Sequence, residues 1–176
     1  MTTSRPGSYT RINRRPTVRT TPTPRSTLGS PAVSIYTDGG CSPNPGPGGW
    51  GFVVVKADEL VAEQWGGEPV STNNRMELTA LIRALKYYGE HLDPDPVEIL
   101  SDSQLSVRIY NEWMAGWEAR GWKRSQGPVE NLDLVKQLAV LKQLCPQVQI
   151  TWVKAHAGLK WNEYADQLVW KGRREL

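Results

Sequence analysis

The sequence predicts an α/β domain built on a mixed β-sheet with helices on both of its faces. Three apolar, β-prone segments come first and are typical of an antiparallel meander, and helical and strand patterns then alternate to the end of the chain. Such alternation favours right-handed crossovers between parallel strands. The chain has 176 residues, of which 39% are hydrophobic, which fits one domain of ordinary size.

The meander is predicted from the first third of the domain. Residues 32–38 form the first strand, and the Gly- and Pro-rich residues 39–49 are interpreted as a loop, because proline and glycine interrupt regular structure. Residues 50–55 and 60–65 form the second and third strands. Residues 66–69 are expected to end the third strand.

A clear amphipathic helix follows the meander. Thr72, Asn73 or Asn74 can cap its start, and Gly89 is expected to end it. Its apolar residues recur with helical spacing: Leu78, Leu81, Ile82, Leu85 and Tyr88. Residues 97–102 are predicted to be a fourth strand, which ends on Asp102.

The last third of the chain predicts three more helices and one strand. Ser103 caps a short helix over residues 104–110, and a Trp-rich segment follows it. Asn131 or Asp133 opens the next helix, residues 148–153 form the fifth strand, and the last helix begins near Trp161. The inner faces of the two long helices are predicted to be Leu134, Leu138, Leu141 and Leu144, and Trp161, Ala165, Leu168 and Val169.

Charge divides the chain into two parts. Residues 1–31 contain six arginines and no acidic residue (+6), whereas the remainder has 15 basic and 18 acidic residues (−3). The first part is rich in Ser, Thr and Pro and is interpreted as a disordered basic arm, and residues 32–176 as the folded domain. The arm either adds phosphate contacts or is a passive tail; its prolines disfavour the amphipathic helix of a transit peptide.

Composition also limits the cellular setting. There is no apolar run long enough to span a bilayer and no secretory signal pattern. Cys41 and Cys145 form no metal-type cluster and are interpreted as free thiols. We therefore expect a cytoplasmic protein without a membrane partner.

Four acidic residues and one histidine are candidates for chemistry. Asp38 and Asp102 each end a strand, and if those strands are parallel neighbours their ends lie about 4.8 Å apart. Carboxylates so close repel unless a cation bridges them. Each candidate also has a structural alternative: a turn cap for Asp38, a capping box with Asn74 for Glu77, a solvated helix carboxylate for Asp166, and an exposed loop position for His156.

Four segments together resemble one family. They are Tyr36-Thr37-Asp38-Gly39 with residues 44–49, residues 72–78, Ser101-Asp102-Ser103-Gln104, and residues 153–158 with Asn162, Glu163 and Asp166. Their order and spacing resemble type 1 ribonuclease H of the bacterial kind over about residues 33–172. The resemblance implies a ribonuclease H-like five-stranded mixed sheet in the order 3-2-1-4-5, with the first three strands antiparallel.

The resemblance also implies the activity. It predicts an endonuclease that hydrolyses the RNA strand of RNA–DNA hybrids and leaves 3′-hydroxyl and 5′-phosphate ends. The implied cofactor is two Mg²⁺ ions, for which Mn²⁺ can substitute. The expected partner is the hybrid, with no obligate protein partner, and the protein is expected to be a monomer.

Carried over by position, the resemblance assigns the metal ligands. Asp38 would bridge the two ions, Asp166 would help hold the ion that activates water, and Glu77 and Asp102 would hold the ion beside the leaving oxygen. His156 would assist proton transfer or product release. All five are therefore predicted to be catalytic.

The same carry-over assigns the substrate contacts. The segment from Cys41 to Asn44, with Glu77, is expected to read ribose hydroxyls, and Thr72 and Asn131 to hold a DNA-strand phosphate. The full predicted set is Gly39, Cys41, Asn44, Thr72, Asn73, Asn74, Gln104, Trp113, Trp117, Trp122, Lys123, Asn131 and Asn162.

The chain departs from the family pattern in two places. Its Trp-rich protrusion has few basic residues, and Val70 stands where some relatives have an arginine. We expect the basic arm to compensate. The alternatives are a related nuclease or strand-transfer domain, which the Asn73-Asn74 pair and the His156 loop disfavour, and a silent hybrid-binding module, which four retained carboxylates disfavour.

Overall fold

The structure, a computed structural model, describes residues 31–176. Apart from Pro31, the predicted basic arm lies outside the described residues. Within them the strands are β1 (Val33–Cys41), β2 (Gly46–Lys56), β3 (Glu59–Ser71), β4 (Val97–Ser101), β5 (Lys123–Arg124), β6 (Gly127–Pro128) and β7 (Val148–Trp152). The helices are α1 (Asn73–His91), α2 (Gln104–Arg108), α3 (Met114–Ala119), α4 (Leu132–Leu144) and α5 (Lys160–Arg174), and a π-helical turn (Ile109–Trp113) joins α2 to α3.

The main sheet has five strands in the order β3-β2-β1-β4-β7. The β1–β2 and β2–β3 pairs are antiparallel, and the β1–β4 and β4–β7 pairs are parallel. The expected order 3-2-1-4-5 with an antiparallel meander is therefore confirmed. The small hairpin of β5 and β6 was not predicted, because two-residue strands leave no pattern in the sequence.

Helices cover both faces of the sheet. The main core lies between the sheet and α1 and α4, and includes Ile35, Phe52, Leu81, Ile99 and Leu138. A smaller cluster on the other face joins β2 to α5, with Val53, Val55 and Ala165 buried in it. Odd and even residues of β2 alternate between these two clusters, as the period of two in a strand requires.

The Gly- and Pro-rich stretch is mostly strand, which corrects the loop expected over residues 39–49. The first strand extends past Asp38 to Cys41, and the second begins at Gly46. Pro47 is accommodated because the β2–β3 register shifts between Gly46 and Gly48, where no ladder hydrogen bond from proline is needed.

Glycine in this stretch serves close packing against α5. A Cβ at Gly49 would lie 2.1 Å from the carbonyl oxygen of Val169, so only glycine allows the helix to approach so closely. The third strand also continues through the predicted stop, to Ser71. A Cβ at Gly67 would lie 2.4 Å from the Gly172 carbonyl oxygen, so here too glycine belongs to a packed strand.

Three smaller expectations are wrong. Gly89 does not end α1, which continues to His91, because an exposed helical glycine costs only about 1 kcal/mol. The short second helix does not stop at Tyr110 but continues through the π-helical turn into α3. Leu144 is 67% exposed, because ten residues at 100° each place it about 80° away from Leu134 around α4.

Two further expectations concern the thiols and the membrane. Cys41 and Cys145 are both free thiols, as predicted, and Cys145 is buried. Across residues 31–176, every helix is too short or too polar to cross a bilayer.

Candidate active site

Asp38 and Asp102 are brought together by the parallel pairing of β1 and β4. Thr37 and Ser101 are partners in the ladder, so the next residue of each chain segment is one of the two aspartates. Asp38 lies inside β1 and Asp102 directly after β4. Asp38 is buried, and its Oδ1 accepts a 2.9 Å hydrogen bond from the backbone N–H of Gly39.

Glu77 reaches the same place because α1 lies directly against β1. A Cβ at Gly39 would be only 2.4 Å from the backbone nitrogen of Glu77, so glycine beside Asp38 is what allows the helix to pack there. The alternative capping box of Asn74 and Glu77 is not formed. Thr72 is the N-cap, and its Oγ1 accepts a 3.2 Å hydrogen bond from the backbone N–H of Arg75.

Helix α5 contributes Asn162 and Asp166. Asn162 is buried, and its Nδ2 donates a 3.2 Å hydrogen bond to Asp102 Oδ2. Asp166 is half-buried, and its charge acts on both Asp38 and Glu77. Asp166 therefore lies near both carboxylates, and its role as a metal ligand stays a prediction.

The carboxylates form a tight group that fits a divalent cation. One oxygen each of Asp38, Glu77 and Asp102 lie within 4.8 Å of one another, and Asp166 lies outside this group of three. Oε2 of Glu77 is buried and accepts no hydrogen bond from any residue that the structure describes. A buried, unpartnered oxygen beside two more carboxylates is the ligand set that Mg²⁺ and similar hard cations bind.

Electrostatics show the cost of leaving this group without a counter-charge. Burial and the charges of Asp102 and Asp166 raise the pKa of Asp38 to about 8. Burial, followed by the charge of Asp38, raises the pKa of Glu77 well above its usual range. A bound cation would remove this penalty, because it favours the charged form of each carboxylate.

The segment between β1 and β2 is tied to the start of α1. Asn73 Oδ1 accepts a 2.8 Å hydrogen bond from the backbone N–H of Cys41. Asn44 Oδ1 in turn accepts a 3.1 Å hydrogen bond from the backbone N–H of Asn73. The predicted contact residues Gly39, Cys41, Asn44 and Asn73 therefore form one connected surface beside Asp38.

Four of the predicted contact residues line a separate cavity of about 500 Å³: Asn44, Thr72, Asn74 and Asn131. Asn131 opens α4 in a left-handed conformation (φ 53°), and its side chain does not cap the helix. Its Oδ1 instead lies 3.4 Å from Nη1 of Arg75. Since arginine only donates hydrogen bonds, the amide nitrogen of Asn131 is left free to donate elsewhere.

Arg75 and Asp133 join the first turns of the two helices whose N-cap residues line this cavity, and neither was predicted as a functional residue. Two parallel hydrogen bonds of 3.0 and 2.8 Å join their side chains and link α1 to α4. The pair raises the pKa of Arg75 and lowers that of Asp133. No pattern in the sequence indicates a contact between residues so far apart in the chain.

The Trp-rich segment forms a protrusion with a cavity of about 670 Å³, lined by Trp113, Trp117, Arg120, Lys123, Arg124, Ser125 and Gln126. The rings of Trp113 and Trp117 lie 5.9 Å apart, and these residues and Trp122 also pack against the core. The tryptophans therefore serve packing, and Trp113 and Trp117 also face a basic cavity.

The remaining predicted residues are at the rim. Gln104 is exposed at the start of α2, two residues after Asp102. His156 is exposed in the loop between β7 and α5, has a positive φ of 51°, and is not one of the three grouped acidic residues. One unpredicted residue also touches the site: Trp152 Nε1 donates a 3.2 Å hydrogen bond to the Asp102 carbonyl oxygen.

Comparisons of the sequence and of the fold with known proteins identify one family. The sequence profile of the RNase H family matches residues 30–174. The chain is 49% identical to a ribonuclease H of Methylorubrum extorquens over 148 residues, which are 84% of this chain and 63% of that protein. It is 47% identical to ribonuclease HI of Caulobacter vibrioides over 147 residues, which are 83% of this chain and 95% of that protein.

Two solved structures extend the comparison to the fold. LC9-RNase H1, described as a type 1 RNase H with the type 2 active-site motif, is 32% identical with a TM-score of 0.72, covering 85% of this chain and 75% of the other. LC11-RNase H1 in complex with an RNA/DNA hybrid is 28% identical with a TM-score of 0.62, covering 81% of this chain and 97% of the other.

Proposed function

We propose that this chain, which belongs to the ribonuclease H family, hydrolyses the RNA strand of RNA–DNA hybrids and that Asp38, Glu77, Asp102 and Asp166 hold the metal ions on which this activity depends. The observation that carries the proposal is the group of three carboxylates within 4.8 Å, with the Oε2 of Glu77 buried and unpartnered among the described residues.

The cofactor is proposed to be two Mg²⁺ ions. When bound, the ions activate the attacking water and stabilise the negative charge of the leaving 3′ oxygen. The products are then a 3′-hydroxyl and a 5′-phosphate. Oxygen-only ligands of this kind suit Mg²⁺, and also Mn²⁺, better than soft metals.

The chain's own residues supply positioning and proton transfer. Asn162 orients Asp102 through its amide hydrogen bond, and Gly39 orients Asp38 through its backbone N–H. We propose that His156 moves a proton or helps product leave, because its imidazole lies in an exposed loop where it can approach a bound substrate, and imidazole is a common general acid or base.

Recognition of RNA is proposed to occur at the segment from Cys41 to Asn44. The 2′-hydroxyl distinguishes RNA from DNA at a given position, so a backbone surface beside the scissile bond can select the strand. The hydrogen bonds of Asn73 and Asn44 hold this surface next to Asp38. Gln104 and Asn74, both exposed nearby, are proposed to contact sugars or base edges.

The DNA strand is proposed to lie along the cavity of Thr72 and Asn131 and the Trp-rich protrusion. Thr72 Oγ1 and the free amide nitrogen of Asn131 can donate to a phosphate. Lys123 and the protrusion cavity would add positive charge and apolar contact to the strand. We further propose a monomeric cytoplasmic enzyme whose basic residues 1–31 add phosphate contacts to the domain of residues 32–176.

A panel of three duplexes of one sequence tests the proposal. With Mg²⁺, we expect cleavage of the RNA strand of the hybrid, and a 5′-phosphate on the downstream fragment. Duplex DNA, double-stranded RNA and the DNA strand of the hybrid should remain intact. Comparable cleavage of either homoduplex would remove the assigned specificity.

A further inference from the structure

Helix α5 makes a further polar contact, two turns beyond Asp166, with the residue that follows β1. Arg173 follows Asp166 by seven residues, which places both side chains on one side of the helix about 10 Å apart. Asp166 lies beside Asp38 of β1, and Arg173 reaches the residue just past the end of that strand. Nη2 of Arg173 donates a 3.0 Å hydrogen bond to the carbonyl oxygen of Ser42.

The side chain of Arg173 makes contacts from its aliphatic stem to its guanidinium group. A Cβ at Gly49 would lie 3.0 Å from Arg173 Cγ, so the stem runs over that glycine. The guanidinium carbon lies 4.6 Å from the centre of the Trp170 ring. Nε is buried, and nothing in residues 31–176 accepts a hydrogen bond from it. A buried unpaired donor is costly, so the hydrogen bond to Ser42 is what holds this arrangement.

The other side of the same segment is held by α1. The backbone N–H of Cys41 is bonded to Asn73, and Asn44 is bonded to the backbone N–H of Asn73. Ser42 N also donates a 3.2 Å hydrogen bond to the Pro47 carbonyl oxygen. The segment from Cys41 to Asn44 is therefore clamped between α1 and α5, and Arg173 supplies the contact from α5.

We infer that Arg173 is a positioning residue that fixes the segment from Cys41 to Asn44 for recognition of the ribose 2′-hydroxyl. The inference rests on the proposed function of that segment. Arg173 touches the segment by a charge-assisted hydrogen bond, and such bonds are roughly twice as strong as neutral ones. Asp166 and Arg173 thus tie metal binding and ribose reading to one rigid helix.

The test measures how much kcat/KM falls when one 2′-hydroxyl is removed from the substrate, in the parent and in Arg173→Met. This fall is the deoxynucleotide penalty. Methionine keeps an apolar stem over Gly49 and Trp170 but cannot donate to Ser42. The substrates are hybrids with a short block of ribonucleotides, intact or with a single deoxynucleotide beside the cleaved bond. The readout is the ratio of kcat/KM for the two substrates.

We expect the fall in kcat/KM caused by the deoxynucleotide to be about tenfold smaller in Arg173→Met than in the parent. A merely structural role would lower the melting temperature or both rates equally and leave the ratio unchanged. Arg174→Met is the matched control, because it loses the same charge from an exposed neighbour, and it should keep the parent's ratio. Arg173→Lys provides a second variant that keeps the charge and should show an intermediate ratio.

The outcomes separate the two proposals. If the deoxynucleotide lowers kcat/KM equally in the parent and in Arg173→Met, this inference alone is overturned. If Arg173→Met does not fold, an unchanged ratio in Arg173→Lys overturns it instead. If the deoxynucleotide does not change kcat/KM in the parent, the ribose-reading role of the segment is overturned, and this inference with it.

Discussion

Replacement of Asp38 with asparagine is expected to lower kcat on the hybrid at least about a thousandfold. One carboxylate oxygen of Asp38 lies within 4.8 Å of an oxygen of Glu77 and an oxygen of Asp102. An amide binds a divalent cation far more weakly than a carboxylate does. The fold should remain, because Asn is close in size to Asp and is not repelled by the neighbouring carboxylates. In metal-free buffer the melting temperature should be equal to or above that of the parent.

Single-turnover cleavage and hybrid binding measured in parallel check this prediction. Asp95→Asn is the matched control, because the same change at an exposed position should leave turnover unchanged. Hybrid affinity should be retained in Asp38→Asn, since the phosphate and ribose contacts lie elsewhere. Turnover near the parent's value would contradict the role assigned to Asp38.

Replacement of Gly49 with alanine is expected to lower the free energy of unfolding by about 3 kcal/mol. The new Cβ would lie 2.1 Å from the carbonyl oxygen of Val169, a backbone atom that cannot turn away. Relief requires α5 to move off the sheet, and α5 carries Asn162, Asp166 and Arg173. Activity should therefore fall together with stability.

Gly89→Ala is the control for this prediction, since it makes the same change in a helix where no atom lies within 4 Å of the new Cβ. It should stabilise the protein by about 0.5–1 kcal/mol, because alanine is the better helix former. Chemical denaturation of the three proteins measures both effects. Equal stability of Gly49→Ala and the parent would contradict the close packing of α5 on β2.

The order of the elements and the positions of the carboxylates were predictable because each depends on a local pattern. Apolar periodicity indicated α1, α4 and α5, and the strand endings at Asp38 and Asp102 indicated where ligands could meet. That these two strands are neighbours followed from the family resemblance, since residue spacing alone left it open. The ladder between Thr37 and Ser101 now shows it directly.

What could not be predicted depends on contacts between distant segments. Gly39 and Gly49 were predicted to lie in a loop, because glycine is depleted in strands on average; here they lie in strands, where the backbones of α1 and α5 contact the sheet. The same limit hid the pairs Arg75–Asp133 and Arg173–Ser42, which join segments 58 and 131 residues apart. Neither pair has a signature within its own segment.

Dependence of cleavage on a divalent cation tests the central claim most directly. The measurement is the rate of RNA-strand cleavage in a labelled hybrid, first with Mg²⁺, then with excess EDTA, and then with Mg²⁺ restored. If buried carboxylates hold the ions that support hydrolysis, cleavage stops in EDTA and returns in full when Mg²⁺ is added back. Undiminished cleavage in EDTA would contradict the account.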